Sequence, residues 1–348
     1  MAAAGDALRA AGVGCIYLVH GTHAGLDALG VWAELGRWYP PARDSLGRLT
    51  KQAVDAIIED RGNYTPGYAQ AFADAINRPG QPQIEVRLFN WSSENNHLGR
   101  ADGAVQLIDE LARLELPSGQ RVLLWGHSHA GNVFALMTNL LAPDAPRRAR
   151  FFRAARVYFR QPLTGRIDIP LWRDVQVRLR DGLDFLERHP LDLVTFGTPI
   201  RYGWDLRGCA KLLHFIYHRP SPNLPPYRAA FPPLLDDVLT AAGGDYVQQV
   251  GIAGTNTAPG LLTWRTWLAD RRLNRLLQPG LRSRDLWARL CVGARVPEAG
   301  TTLLVDYGRV TGNLVQHLGG HAIYTQQDWL LFHVEEVVAR LYGTACET

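Results

Sequence analysis

Arg121-Val122-Leu123-Leu124-Trp125-Gly126-His127-Ser128-His129-Ala130-Gly131-Asn132-Val133 is the stretch that decides the fold. Its first half is a short apolar run of buried-strand character. After it, Phe134, Ala135, Leu136, Met137, Leu140 and Leu141 supply the apolar face of a helix. What lies between is too short for anything but a tight turn. That turn places Ser128 at its apex, at the carboxyl end of the strand, which is the geometry of a nucleophile elbow. Strand and helix nearly touch there, so small residues are needed two positions before and two after the serine. Gly126 fills the first place. Ala130 stands where a second glycine is usual, with Gly131 next, and a methyl is the smallest intrusion a side chain can make.

Outward from this stretch, strands and helices alternate. Residues 14–19 form a continuous apolar run ending in His20-Gly21-Thr22-His23-Ala24-Gly25. Further strands are expected at 84–89, 191–196 (running into Gly197-Thr198-Pro199), 212–217 (running into His218-Arg219-Pro220) and 301–308. Helical stretches are expected at 26–38, 50–60, 64–76, 100–114 and 325–341. Apolar strands separated by helices predict an α/β fold with a mostly parallel, doubly wound sheet. Two segments break the alternation, 144–182 and 219–300, both bounded by Pro and Gly clusters. They are expected to be insertions forming a cap over the active face, leaving 1–143, 183–218 and 301–348 as the core.

Composition limits the function classes. An apolar fraction of 47% over 348 residues is that of a globular chain, and a net charge of +4 is too small to argue for nucleic acid as a partner. Positive charge is carried by Arg, since Lys51 and Lys211 are the only lysines. Ten Trp against two Met suggest aromatic walls around a pocket or, equally, core packing. Cys15, Cys209, Cys291 and Cys346 are scattered without metal spacing and are expected to be reduced, buried thiols. The first residues lack the basic start and apolar run of a signal peptide, and no stretch approaches a membrane span, so a cytoplasmic location is the default expectation. Export by a route that needs no leader is compatible with this.

The HG turn, Gly126-His127-Ser128-His129-Ala130-Gly131, Phe196-Gly197-Thr198-Pro199 and Gly319-Gly320-His321-Ala322-Ile323-Tyr324 together resemble the α/β-hydrolase superfamily, in its bacterial lipase and esterase branch. The resemblance covers the core strands and the final helix, and implies a core lacking the first two strands of the larger members. A serine hydroxyl needs a base to take its proton, and histidine is the usual one. The resemblance implies that the base is His321, in the loop before the last helix, with His317 as its competitor. It places the acid after the strand ending at Tyr217. Asp245, in Gly243-Gly244-Asp245-Tyr246-Val247, has that character, and Asp306, at the tip of the last strand, is the rival. The oxyanion hole is expected from the backbone N–H groups of His129 and Thr22. The side chains of His127 and His129 are expected to point away from the nucleophile, and His20 to brace its loop. No cofactor and no metal are implied.

The expected activity is hydrolysis of carboxylic esters, of a lipid or other hydrophobic type, through an acyl-enzyme on Ser128. Two alternatives are a phospholipase-type exported effector acting on membrane lipids and a catalytically silent binding protein on the same fold. Residues 147–160 also bear on partners. At 100° per residue, Phe151, Phe152, Ala155, Tyr158 and Phe159 share one face, and Arg150, Arg153, Arg156 and Arg160 the other. Such a helix either packs its aromatic face on the core or rests on an anionic membrane.

Overall fold

The computed structural model describes residues 1–22 and 62–343, apart from 184, 226, 231–232, 255, 258, 260–263, 280–284, 293–294 and 311–316. The helices expected at 26–38 and 50–60, with His23, Ala24, Gly25 and Cys346, lie outside the described residues.

Six strands are β1 (Val13–Val19), β2 (Glu85–Phe89), β3 (Arg121–His127), β4 (Leu191–Phe196), β5 (Lys211–Tyr217) and β6 (Thr301–Val305). They form one sheet in the order β2-β1-β3-β4-β5-β6, and every neighbouring pair is parallel. The longer helices are α1 (Ala2–Ala10), α2 (Pro66–Ile76), α3 (His97–Ala112), α4 (Ala130–Leu141), α5 (Ala145–Phe159), α6 (Pro170–Asp181), α7 (Tyr246–Ala253), α8 (Trp264–Leu277) and α9 (Leu330–Val337). Local chemistry sets their starts. Thr65 Oγ1 accepts from Tyr68 N at 3.1 Å before α2, Asn96 Oδ1 from Gly99 N at 2.7 Å before α3, and Asp144 Oδ1 from Arg147 N at 2.8 Å before α5.

Strand residues alternate between two cores, because successive side chains leave a strand on opposite faces. Tyr17, Val19, Val122, Leu124 and Leu193 join a layer built from α3, α4, α5, α6 and α8. Ile16, Leu18, Leu123, Trp125, Val194, Phe196 and Phe215 join α1, α2 and α9 on the other side. The result is a three-layer α/β fold.

Several boundaries shift from expectation, α3 running from His97 to Ala112 among them, and two of the shifts have a visible cause. The last strand stops at Val305, and Tyr307 turns into the second core, where its hydroxyl meets His333 Nε2 at 2.7 Å. The closing α-helix begins at Leu330, because Leu318, Gly319 and Gly320 all have positive φ and the chain winds through 3-10 turns as far as Thr325.

Residues 145–181, which the sequence places in an insertion over the active face, extend the first helical layer. The amphipathic reading of α5 holds. Phe151, Phe152, Ala155, Tyr158 and Phe159 are buried, and Arg150, Arg153, Arg156 and Arg160 are exposed. The aromatic face closes on Trp172 of α6. The rings of Phe151 and Phe159 stack on it at 5.8 and 5.5 Å, Phe152 and Tyr158 meet it edge-on, and its Nε1 donates to Asp102 Oδ1 at 2.6 Å. The tryptophans are thus partly core, as with Trp91, Trp125 and Trp172, while Trp264 and Trp287 are exposed. Among the described cysteines, Cys15 alone is buried as expected. Cys209 is half-buried and Cys291 exposed.

Strand order positions the site. The helix that follows β1 among the described residues, α2, lies on one face of the sheet, and α4, which follows β3, lies on the other. Neighbouring parallel strands whose connections part in this way leave a crevice at their carboxyl ends.

Replacing Trp172 with Ala removes the centre of the aromatic cluster and leaves Asp102 without its indole donor. The expected loss is about 3–5 kcal/mol of unfolding free energy, read as a lower urea midpoint with an unchanged denaturant slope.

Candidate active site

The crevice between β1 and β3 holds Ser128. Its φ is 56°, a left-handed conformation rare for a residue with a side chain. The turn is over-determined. Ser128 N donates to Phe196 O at 2.8 Å, Gly131 N to Ser128 O at 3.2 Å, and Thr198 Oγ1 to the same carbonyl at 2.8 Å. A Cβ added at Gly126 would fall 2.4 Å from the Phe134 ring and 3.1 Å from Ala130 Cβ. Alanine is therefore tolerated at 130 because glycine occupies 126.

The turn after β1 comes against the serine. A Cβ at Gly21 would lie 2.6 Å from Ser128 Cβ, so only glycine fits beside the elbow. Trp91 Nε1 donates to His20 O at 2.9 Å, with the two rings stacked at 6.1 Å. His20 is thus placed as a brace of its loop. Thr22 follows Gly21 directly and is half-buried, and His129 is the residue that opens α4.

On the far side of β4, two loops converge. Asp245 is wholly buried, and its two carboxylate oxygens have separate tasks. Oδ1 accepts from Gln248 N at 2.8 Å and caps α7, while Oδ2 accepts from His321 Nδ1 at 2.6 Å. The Asp245 loop is fixed at the end of β5, where Asp245 N donates to Tyr217 O at 3.1 Å. The two loops touch at Gly320, whose φ is 93°. A Cβ there would stand 2.8 Å from Gly244 O and 3.0 Å from Ala241 Cβ. This contact is why the histidine is preceded by glycine. His321 Nε2 is buried and has no hydrogen-bond partner among the described residues.

The structure brings His321 and Asp245 together and leaves Asp306 elsewhere. Asp306 is exposed, pairs with Arg219 at 2.9 Å, and receives Gly308 N at 2.8 Å. No carboxylate bonds to His317 among the described residues, and burial pushes its pKa down. Next to Ser128, His127 does more than point away from it. Its Nε2 meets His321 O at 3.0 Å, its Nδ1 meets Gly62 O at 3.0 Å, and its ring lies 4.5 Å from that of His321. His127 therefore ties the histidine loop to the elbow. His129 Nδ1 is bonded to Asn132 Nδ2 at 3.0 Å, directing its ring along α4. The facing of both His127 ring nitrogens on carbonyl oxygens has no signal in the sequence. Asp245 preceding Tyr246-Val247-Gln248 carries a helix-start signal that could have been read.

From the 219–300 segment, α7 packs beside the elbow. Gln248 Nε2 donates to Thr198 O at 3.0 Å, and a Cβ at Gly251 would lie 2.7 Å from Pro199 Cβ and 4.0 Å from His129 Nε2. Two buried arginines staple the segment down. Arg201 donates to Gly251 O at 3.3 Å, at the negative end of α7, and to Gln278 Oε1 at 2.6 Å. Arg100 reaches Tyr202 Oη at 2.9 Å and Asn256 Oδ1 at 2.8 Å. Burial, with the charges of Arg100 and Arg289 beside it, lowers the Arg201 pKa to about 10. Among the described residues, no group of three or more His, Cys, Asp or Glu side chains is placed to hold a metal ion.

Comparison with known protein families, with curated proteins and with solved structures finds no match to this chain.

Burial governs the histidines around the site. It lowers His127 and His333 to about 3 and His214 to about 4. Each titrates near 6.5 in the unfolded chain. A histidine with a depressed folded pKa contributes fully above pH 6.5 and loses that contribution as the pH falls toward the folded value. At pH 5 each should cost about 2 kcal/mol, so the thermal midpoint is expected to hold from pH 8 to 7 and drop steeply below 6.5. A second expectation concerns Asp245. Asp245→Ala removes both the helix cap and the imidazole's partner, whereas Asp245→Asn keeps an oxygen for Gln248 N. The alanine variant should be less stable than the asparagine variant by about 2 kcal/mol in urea unfolding.

Proposed function

We propose that this chain is a serine hydrolase that cleaves carboxylic esters, built on an α/β-hydrolase core, with Ser128, His321 and Asp245 as its triad. The observation that carries the reading is the 2.6 Å bond from a buried carboxylate to His321, whose loop is tied by His127 to the neighbour of a serine at φ 56°. Asp245 holds the imidazole with its proton on Nδ1, leaving Nε2 to act as base. Ser128 Oγ attacks the ester carbonyl as Nε2 takes its proton. The backbone N–H groups of His129 and Thr22 stabilise the oxyanion of the tetrahedral intermediate. Collapse breaks the bond to the alcohol oxygen, which leaves with the proton from Nε2. Water, deprotonated by the same nitrogen, then releases the acid and restores Ser128.

A hydrophobic ester is the favoured substrate class. Leu234, Leu235, Leu239, Val247, Val250 and Leu318 are all exposed. They lie on the segments that carry Asp245 and His321, a position suited to receiving an acyl chain. A fluorophosphonate probe should label the wild type and fail to label Ser128→Ala. With p-nitrophenyl esters, Ser128→Ala should lose on the order of 10⁶ in kcat and Asp245→Asn about 10⁴. Thr22→Ala should change little, since its backbone does the work. Equal labelling of wild type and Ser128→Ala would refute the assignment, and a folded wild type that never labels would favour a binding protein.

A further inference from the structure

The second charged feature of the molecule is a hairpin that esterase chemistry does not use. Between residues 145 and 167 there are seven arginines and no acidic residue. α5 presents Arg150, Arg153 and Arg156 to solvent, and the chain then turns through a tight antiparallel hairpin closed by an Arg160–Ile167 bridge. Gln161 N donates to Arg166 O at 2.8 Å, Gly165 N to Gln161 O at 3.0 Å and Arg160 Nε to Gly165 O at 2.8 Å, so the tip is held in place. At that tip Pro162, Leu163 and Thr164 are exposed, and Leu163 is 99% exposed. Arg166, three-quarters exposed, flanks it. Among the described residues none of Arg150, Arg153, Arg156 and Arg160 is paired with a carboxylate. The nearby Asp168 is engaged by Arg265 and Arg166.

The hairpin's place in the fold adds to this. α6 runs beside α3 in the same direction, as the contacts Asp102–Trp172 at 2.6 Å and Asp109–Arg178 at 3.4 Å show. α3 starts just beyond the carboxyl end of β2, so the start of α6, and the hairpin before it, lie on the carboxyl-end side of the sheet. That is the side on which Ser128 sits.

We propose that the hairpin 160–167 and the basic face of α5 form a docking surface for an anionic lipid bilayer, with Leu163 entering the headgroup region. An apolar tip flanked by Arg160 and Arg166, continuing a helix face whose Arg150, Arg153 and Arg156 pair with no carboxylate among the described residues, complements a negative interface with an apolar interior, and the arginines add attraction that salt screens. The surface acts independently of catalysis, so its test needs no turnover.

The protein is sedimented with vesicles of phosphatidylcholine alone or with about one-third phosphatidylglycerol. Binding is expected only to the anionic vesicles, falling as salt rises. Arg153→Ala/Arg156→Ala should cut the partition about fivefold per arginine, and Leu163→Ser about tenfold, with thermal midpoints unchanged. Arg340→Ala, an exposed arginine paired with Glu336, should bind as the wild type, as should Ser128→Ala. Equal recovery on neutral and anionic vesicles, or hairpin variants that bind as the wild type, would overturn the proposal. So would binding to duplex DNA through the same arginines without binding to vesicles. Failure of fluorophosphonate labelling would leave it untouched.

Discussion

One carboxylate holds two structures at once. Asp245 caps α7 by accepting the Gln248 N–H with one oxygen and carries His321 with the other. The helix that packs beside the elbow and the His321 imidazole therefore share a single fixed point, itself pinned to the end of β5 through Tyr217 O. Burial makes this arrangement strict. With no water to replace a lost partner, each oxygen must keep its donor, and a shift of the helix would be felt at the histidine. Position, more than charge alone, is what this residue supplies.

The sheet decides where such a device can stand. Parallel strands bring their carboxyl ends to one edge, and the parting of the connections after β1 and β3 opens that edge at one place. Gly21 and Ser128 meet there because nothing larger than hydrogen fits between the turn and the elbow. Thr198, at the end of β4, binds the serine carbonyl, and Gln248 of α7 binds Thr198 in turn. Contacts thus run from α7 through the end of the neighbouring strand to the elbow without a break.

Much of this was legible in the amino-acid order, for a physical reason. Buried parallel strands are apolar on both faces, so residues 14–19, 191–196 and 212–217 announce themselves, and the elbow is fixed by local sterics that leave little choice of residue. The parts that escaped are those set by distant partners. Whether Asp245 or Asp306 faces His321 depends on which loop Gly320 can touch, and that close approach leaves only a glycine in the sequence as its trace. The setting of α5 has a similar cause. Amphipathy identified which face of α5 is buried, but gave no information on what it is buried against. That partner is Trp172, 13 residues beyond Phe159.

His127 has a consequence of its own. Both of its ring nitrogens face carbonyl oxygens, those of Gly62 and His321, while burial keeps the ring neutral at ordinary pH. A neutral imidazole has one hydrogen to give, so the two oxygens compete for it. With the hydrogen on Nε2 the His321 loop is fastened and the Gly62 stretch is left facing a lone pair, and in the other tautomer the reverse holds. A single proton hopping across one ring is thus enough to transfer the tether from one loop to the other, without any change of net charge.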